Sequence, residues 1–250
     1  MKIDYISDLH IDFYISLKGK WQQKLVAFLT SLLPDEKGEV LVIAGDLSHY
    51  NIQSFIILEF FSMHYKQVIF VLGNHDYYLV SSEQKKKYSR NSNGRELELI
   101  KMITALPNVN LLSFFEKFIY KGITFTGATN WYGLQTTKEQ HFFEKVSNDS
   151  VLIKGIDIPS LHNKEMARYA ALHQSDVVIT HVPPLILDSH FLHGSTACYL
   201  NELPNITAKI CIFGHCHEQS VIEKEDTTYC INALGYPDEK LQHTIQSIVI

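Results

Sequence analysis

The chain of 250 residues lacks the features that mark several functional classes. No stretch reaches the roughly 18 to 20 apolar residues of a membrane span. Met1 leads straight into Lys2-Ile3-Asp4-Tyr5-Ile6, with no basic start followed by a long apolar segment. A soluble, unexported, cytoplasmic chain without a membrane partner is expected. The only cysteines are Cys198, Cys211, Cys216 and Cys230, and none has the CxxC spacing, which speaks against a disulfide framework and against a structural zinc site. Reduced thiols packed as small hydrophobes are expected. Cys216 stands between His215 and His217, and strand-end alternation turns its side chain away from both. Positive charge is not in excess either. With 22 basic against 27 acidic residues, a net charge of −5, the chain exerts no general pull on nucleic-acid phosphates. Internal repeats and low-complexity linkers are also missing, so residues 1–250 read as one domain.

What is present is a hydrophobic content of 46%, enough for one large core. Short apolar, β-branched runs recur at Ile3–Ile6, Val40–Ile43, Val68–Leu72, Val177–Ile179 and Ile210–Phe213, the pattern of buried strands. Helical periods at Trp21–Leu33 and Ile52–His64 separate the first three, giving β-α-β-α-β with parallel strands. Polar, lysine-rich Ser81–Gly94 reads as an exposed loop or lid, and Arg95–Leu106 as a helix stopped by Pro107. Strand-like segments follow at Val109–Leu112, Phe118–Tyr120 and Ile123–Thr126, with Lys121-Gly122 as a hairpin turn. Leu134–Leu161 is weakly helical and Asn163–His173 suggests a further crossover helix. The tail returns to strand at Val221–Ile231, around Glu225-Asp226, and at Ile245–Ile250.

In open α/β sheets ligands gather at the carboxyl ends of the strands. The five runs end in Ser7-Asp8-Leu9-His10, Gly45-Asp46, Gly73-Asn74-His75-Asp76, Thr180-His181 and Gly214-His215-Cys216-His217. Each piece alone recurs by chance in unrelated proteins. Together they place carboxylates, imidazoles and an amide at every strand end, a combination costly to bury without a cation. The absence of thiolate suits manganese, iron, zinc, nickel or cobalt in a reactive site rather than structural zinc. Seven ligand side chains exceed what one ion needs while keeping a water, and two ions sharing a carboxylate fit better.

This ordered set, Asp8-x-His10, Gly45-Asp46, Gly73-Asn74-His75-Asp76, Thr180-His181 and Gly214-His215-x-His217, resembles the five signature blocks of the calcineurin-like metallophosphoesterase superfamily. The resemblance, and not composition, implies a four-layer α/β/β/α sandwich of two mixed sheets. It implies that Asp8, His10 and His217 hold one ion, that Asn74, His181 and His215 hold a second, and that Asp46 bridges the two. Manganese comes first among the metals. His75 matches the family's non-ligand histidine, which contacts phosphate and protonates the leaving oxygen, and Asp76 is a candidate carboxylate partner that orients it.

Departures narrow the branch. Protein Ser/Thr phosphatases of this superfamily carry Asp-Arg-Gly after the second block and Glu after the third block's Asn-His, whereas this chain has Gly45-Asp46-Leu47-Ser48-His49-Tyr50 and Asn74-His75-Asp76. The expected activity is hydrolysis of phosphomonoesters or phosphodiesters of a small substrate, nucleotides included. The rival is a catalytically silent relative serving as a protein-binding platform, but such relatives lose ligands and this chain keeps all seven and His75. Weaker candidates are Ala128-Thr129-Asn130-Trp131 as pocket lining, His190 and His193 near the entrance, Asn232–Pro237 as a rim, and Lys85–Lys87 as phosphate contacts. For each of the two histidines and for the lysines, solvation is the commoner fate.

Overall fold

The computed structural model describes residues 1–172, 174–186 and 197–250. Two sheets lie face to face with helices outside them. The first contains β1 (Lys2–Ile6), β2 (Val40–Ala44), β3 (Gln67–Val71) and β4 (Val109–Leu111), parallel in that order, and β11 (Gln246–Val249) runs antiparallel along β1. The second contains β6 (Ile123–Ala128), β7 (Val177–Thr180), β8 (Ile210–Phe213) and β10 (Thr227–Asn232), again parallel. It is edged by antiparallel β5 (Glu116–Tyr120) and β9 (Gln219–Lys224).

The central strands are buried on both faces, and their alternation sorts side chains into layers. Val40, Val42, Ala44, Ile69 and Val71 point between the sheets, where they meet Val177, Ile179, Ile210 and Ile212. Leu41, Ile43, Val68 and Phe70 point outward to α2 (Trp21–Leu32), α3 (Asn51–His64) and α5 (Ser92–Ile103). Val178, Cys211, Phe213 and Ile231 point the other way, to Tyr169 of α8 (Ile158–Ala170). This is the expected α/β/β/α sandwich.

The chain departs from expectation in its helices. Ser81–Gly94 is not a loop: it holds α4 (Ser82–Lys87) and the start of α5. Ser81 and Gln84 form a reciprocal capping box, and the Asn91 side chain accepts from the Asn93 N–H at the head of α5. Leu134–Leu161 is partly helical, as expected: it contains α6 (Thr137–Lys145), capped by Thr136 and Glu139, then α7 (Asn148–Leu152) capped by Ser147. The crossover helix α8 begins at Ile158, five residues ahead of its expected start, with a proline in its first turn. Lys121 and Gly122 do turn the β5–β6 hairpin, with φ of 48° and 79°. Short α1 (Ile11–Tyr14) follows the first strand end. All four cysteines are free. No helix among the described residues is long and apolar enough to cross a membrane.

Candidate metal centre

Because β1, β2, β3, β7 and β8 each run parallel within their sheets, their carboxyl ends deliver side chains to one edge of the sandwich. A parallel bridge between Ser7 and Ala233 ties the sheets together there. The backbone then turns sharply. Asp8, His10, Asp46, His215 and His217 all have left-handed φ, between 41° and 73°. Such conformations cost non-glycine residues about 1–3 kcal/mol each and persist at sites that demand them. Two glycines make the close approach possible. Gly45 has φ 89°, and a Cβ there would fall 2.3 Å from His181 Nδ1; a Cβ on Gly73 would fall 2.1 Å from Asp46 Oδ1.

The seven expected ligands converge as two groups around Asp46. In the first, His10 Nε2 lies 3.0 Å from His217 Nε2 and 3.6 Å from Asp46 Oδ2, and His217 Nε2 lies 3.8 Å from Asp8 Oδ1. In the second, His181 Nε2 lies 3.4 Å from Asp46 Oδ2, 3.0 Å from Asn74 Oδ1 and 3.1 Å from His215 Nδ1. Donor atoms bonded to a common ion at about 2.1 Å sit about 3.0–3.4 Å from one another, so the spacing suits metal coordination. Asp8, His10, Asp46 and His181 are essentially inaccessible to solvent.

Tracing the hydrogen bonds outward shows which lone pairs point inward. His181 Nδ1 donates to the Ala44 carbonyl at 2.9 Å, His215 Nε2 to the Cys198 carbonyl at 2.8 Å, and His217 Nδ1 to Glu239 at 2.7 Å. The Asn74 amide nitrogen donates to Asp149 at 2.8 Å. Each outer bond fixes a tautomer or amide orientation and leaves an acceptor facing the centre. His215 Nδ1, Asn74 Oδ1 and Asp46 Oδ2 therefore all face His181 Nε2, and this crowding of inward acceptors is an arrangement that a cation resolves. Asp8 is held by the Ser7 hydroxyl at 2.5 Å and the His215 N–H at 2.9 Å.

Protonation follows from the same geometry. Burial holds His10 well below the usual histidine range and His215 at about 3, so both are neutral and ready to ligate. Burial opposes charge on His181 as well, but Asp46, Asp8 and the Ala44 carbonyl outweigh it and raise that histidine to about 9. Burial likewise pushes Asp46 up, yet the surrounding imidazoles hold it well below the carboxylate range. Asp8 is raised by burial and by Asp46.

His75 lies beside the expected ligands, with one of its nitrogens within 4.8 Å of donor atoms on His10 and Asp46. Its N–H donates to Asp46 Oδ1 at 2.9 Å, its ring stacks on Tyr78 at 4.2 Å between centroids, and burial lowers it to about 4. Asp76 does not orient it. The Asp76 carboxylate instead accepts the backbone N–H groups of Gly73, Asp46 and Leu47 at 2.9 to 3.1 Å, and it faces buried Arg95. Its place in the sequence suggested a partner for His75, but its side chain turns back to tie the second and third strand ends together. Arg95 spends its donors on the carbonyls of His75, Tyr78 and Ser48.

Several contributors were not singled out in the sequence: Asp149 on α7, Glu239, His49 with Asp12, and Tyr78. A cleft of about 350 Å³ opens over Asp46, Asn74, His75, His215 and His217, walled by Tyr78, Tyr199 and Tyr236. Tyr236, from the Asn232–Pro237 rim, stacks on His10 with centroids 4.7 Å apart. Trp131 is buried against Tyr77 and does not line that cleft. Lys87 pairs with Glu98 on the surface at 2.6 Å, and none of Lys85–Lys87 lines the cleft. His190 and His193 lie outside the described residues.

A family model described as calcineurin-like phosphoesterase matches residues 1–219. Among solved structures, a phosphopantetheinyl hydrolase from Mycobacterium tuberculosis superposes with a TM-score of 0.72 at 18% identity, covering 99% of this chain and 95% of the other. TT1561 of Thermus thermophilus superposes with a TM-score of 0.57 at 9% identity, covering 99% and 97%. Both show a shared fold. No curated protein sequence matches significantly.

Proposed function

Since the chain belongs to the calcineurin-like phosphoesterase family, we propose that it hydrolyses a phosphate ester of a small substrate, a nucleotide among the candidates, at a centre of two divalent ions with manganese the first choice. One observation carries this reading: Asp46 Oδ2, Asn74 Oδ1 and His215 Nδ1 all lie 3.0 to 3.4 Å from His181 Nε2, and hydrogen bonds on the far sides of His181, His215 and Asn74 turn these atoms inward. Asp8, His10 and His217 would hold the first ion, Asn74, His181 and His215 the second, and Asp46 would serve both. Ions bound there supply Lewis acidity to a phosphoryl oxygen and lower the pKa of water towards neutrality.

The chain's own residues supply the rest. His75, at the cleft wall, is placed to give a proton to the leaving oxygen, and an arriving phosphate anion would raise its proton affinity from the low value that burial imposes. Tyr236 and Tyr199 offer flat apolar surface to the ester's organic group. Arg95 is buried and turned to backbone carbonyls, so it does not grip phosphate as the protein phosphatases' arginine does.

The test is hydrolysis of bis(p-nitrophenyl) phosphate and p-nitrophenyl phosphate by metal-stripped protein with and without added Mn²⁺, extended to nucleotides, cyclic nucleotides and sugar phosphates. Metal-dependent turnover of at least one ester is expected. Failure on every ester with every first-row divalent metal would leave the platform as the better description.

A further inference from the structure

Asp76 being committed to the backbone leaves the orientation of His75 to another group. His75 Nδ1 lies 3.0 Å from His49 Nε2, and the two rings are nearly parallel, 12° apart with centroids at 5.0 Å. His49 Nδ1 in turn lies 2.7 Å from Asp12 Oδ2, and the His49 N–H donates to Asp12 Oδ1 at 2.9 Å. His49 is nine-tenths buried. Asp12 stands on α1, directly after the first strand end, and His49 lies three residues beyond Asp46, so the row joins two of the loops that carry the expected ligands.

We propose that His49, anchored by Asp12, is a positioning residue for His75, fixing its ring plane and its tautomer. The proton assignment follows from the acceptors. Asp12 accepts from His49 Nδ1–H, which leaves the neutral ring's Nε2 as an acceptor, so His75 donates from Nδ1. Nε2 is then the His75 nitrogen that exchanges protons in the cleft. As the phosphorus–oxygen bond breaks, the proton held on Nε2 passes to the departing oxygen, and Nδ1–H stays on His49. Solvent returns a proton to Nε2 afterwards. Tyr78, stacked on both rings, at 5.6 Å from His49 and 4.2 Å from His75, keeps the row planar. One His75 nitrogen also lies within 4.8 Å of donor atoms on His10 and Asp46, so the manganese count of the variants tells a positioned proton donor from an ion ligand.

The inference rests on the proposed phosphoesterase activity for its kinetic arm alone. That arm compares methyl p-nitrophenyl phosphate, whose leaving group needs little protonation, with methyl phenyl phosphate, using manganese-loaded wild type, His49→Leu, His49→Gln and Asp12→Asn. His49→Leu should lower kcat on the phenyl ester about tenfold more than on the p-nitrophenyl ester, part of a general acid's usual contribution. His49→Gln, whose amide oxygen accepts from Nδ1–H, should recover some of that difference, and Asp12→Asn should show the same pattern more weakly. Manganese stoichiometry should not change. Equal losses on both esters in the folded variants, or a lost manganese, would overturn the inference. The second arm needs no turnover: nitrogen-15 spectra of metal-free protein should show His75 as the Nδ1–H tautomer in wild type and a shift towards Nε2–H in His49→Leu and Asp12→Asn. A wild-type protein idle on both esters defeats the proposed function, whereas an unchanged tautomer in the variants defeats the role of His49.

Discussion

Replacing Asp46 with asparagine is expected to remove ester hydrolysis, by more than the 100-fold that losing an outer-shell partner of a metal ligand can cost, while the fold survives. Asp46 Oδ2 is the atom common to both groups of ligands, 3.6 Å from His10 Nε2 and 3.4 Å from His181 Nε2. A neutral amide has neither the charge nor the paired lone pairs to serve two cations at once. Asparagine nevertheless suits the position, because it tolerates the left-handed backbone at φ 58° and keeps the side chain's shape. Its Oδ1 can still accept the His75 N–H. Circular dichroism should therefore match wild type, and manganese titration should show both ions weakened together. Wild-type turnover in Asp46→Asn would remove the residue from the bridging position.

The second large effect is expected at Asp149, which touches neither ion in the arrangement proposed. Its carboxylate accepts from the Asn74 amide nitrogen at 2.8 Å and from the hydroxyls of Tyr78 and Tyr132. Burial pushes Asp149 up, and these three donors oppose that by stabilising its charged form. The bond to Asn74 is what turns Oδ1, rather than Nδ2, towards His181. Without it the amide can flip, presenting a donor where an acceptor is required. Asp149→Ala should weaken by up to about 100-fold the ion held by Asn74, His181 and His215, leaving the ion on Asp8, His10 and His217 nearly as tight. Because alanine also strands two buried tyrosine hydroxyls, at about 1–3 kcal/mol each, Asp149→Asn is the gentler variant and should show a smaller loss at the same ion. Calorimetric manganese titration separates the two ions. Equal weakening of both, or of neither, would show that Asp149 does not act through Asn74.

These two residues illustrate what a sequence discloses. Asp46 is legible as a candidate bridge because a ligand delivered by a strand follows it closely, and the Gly-Asp pair after an apolar run marks the spot. The same holds for the candidates Asp8, His10, Asn74, His181, His215 and His217: each sits within four residues of a strand end, so local pattern and candidate site coincide. Asp149 was not readable. It lies 75 residues from Asn74, in a weakly patterned stretch, and only the tertiary fold brings the two together. Glu239, 22 residues from His217, and Asp12, 37 from His49, are similar cases. Asp76 shows the opposite failure, where adjacency to His75 suggested contact but the side chain faces the backbone of another loop.

The fold divides along the same line. Strands buried on both faces announce themselves as continuous apolar runs, and the layered core follows from their alternation. Helix α4 was hidden because its lysines suggested a solvated loop, although the capping box of Ser81 with Gln84 was present in the sequence.

The measurement that bears most directly on the central claim is anomalous diffraction from crystals grown with Mn²⁺. Two manganese peaks about 3.5–4 Å apart are expected, one within bonding distance of Asp8, His10 and His217, the other of Asn74, His181 and His215, with Asp46 touching both. A map without manganese among these side chains, or with a lone peak that Asp46 does not reach, would contradict it.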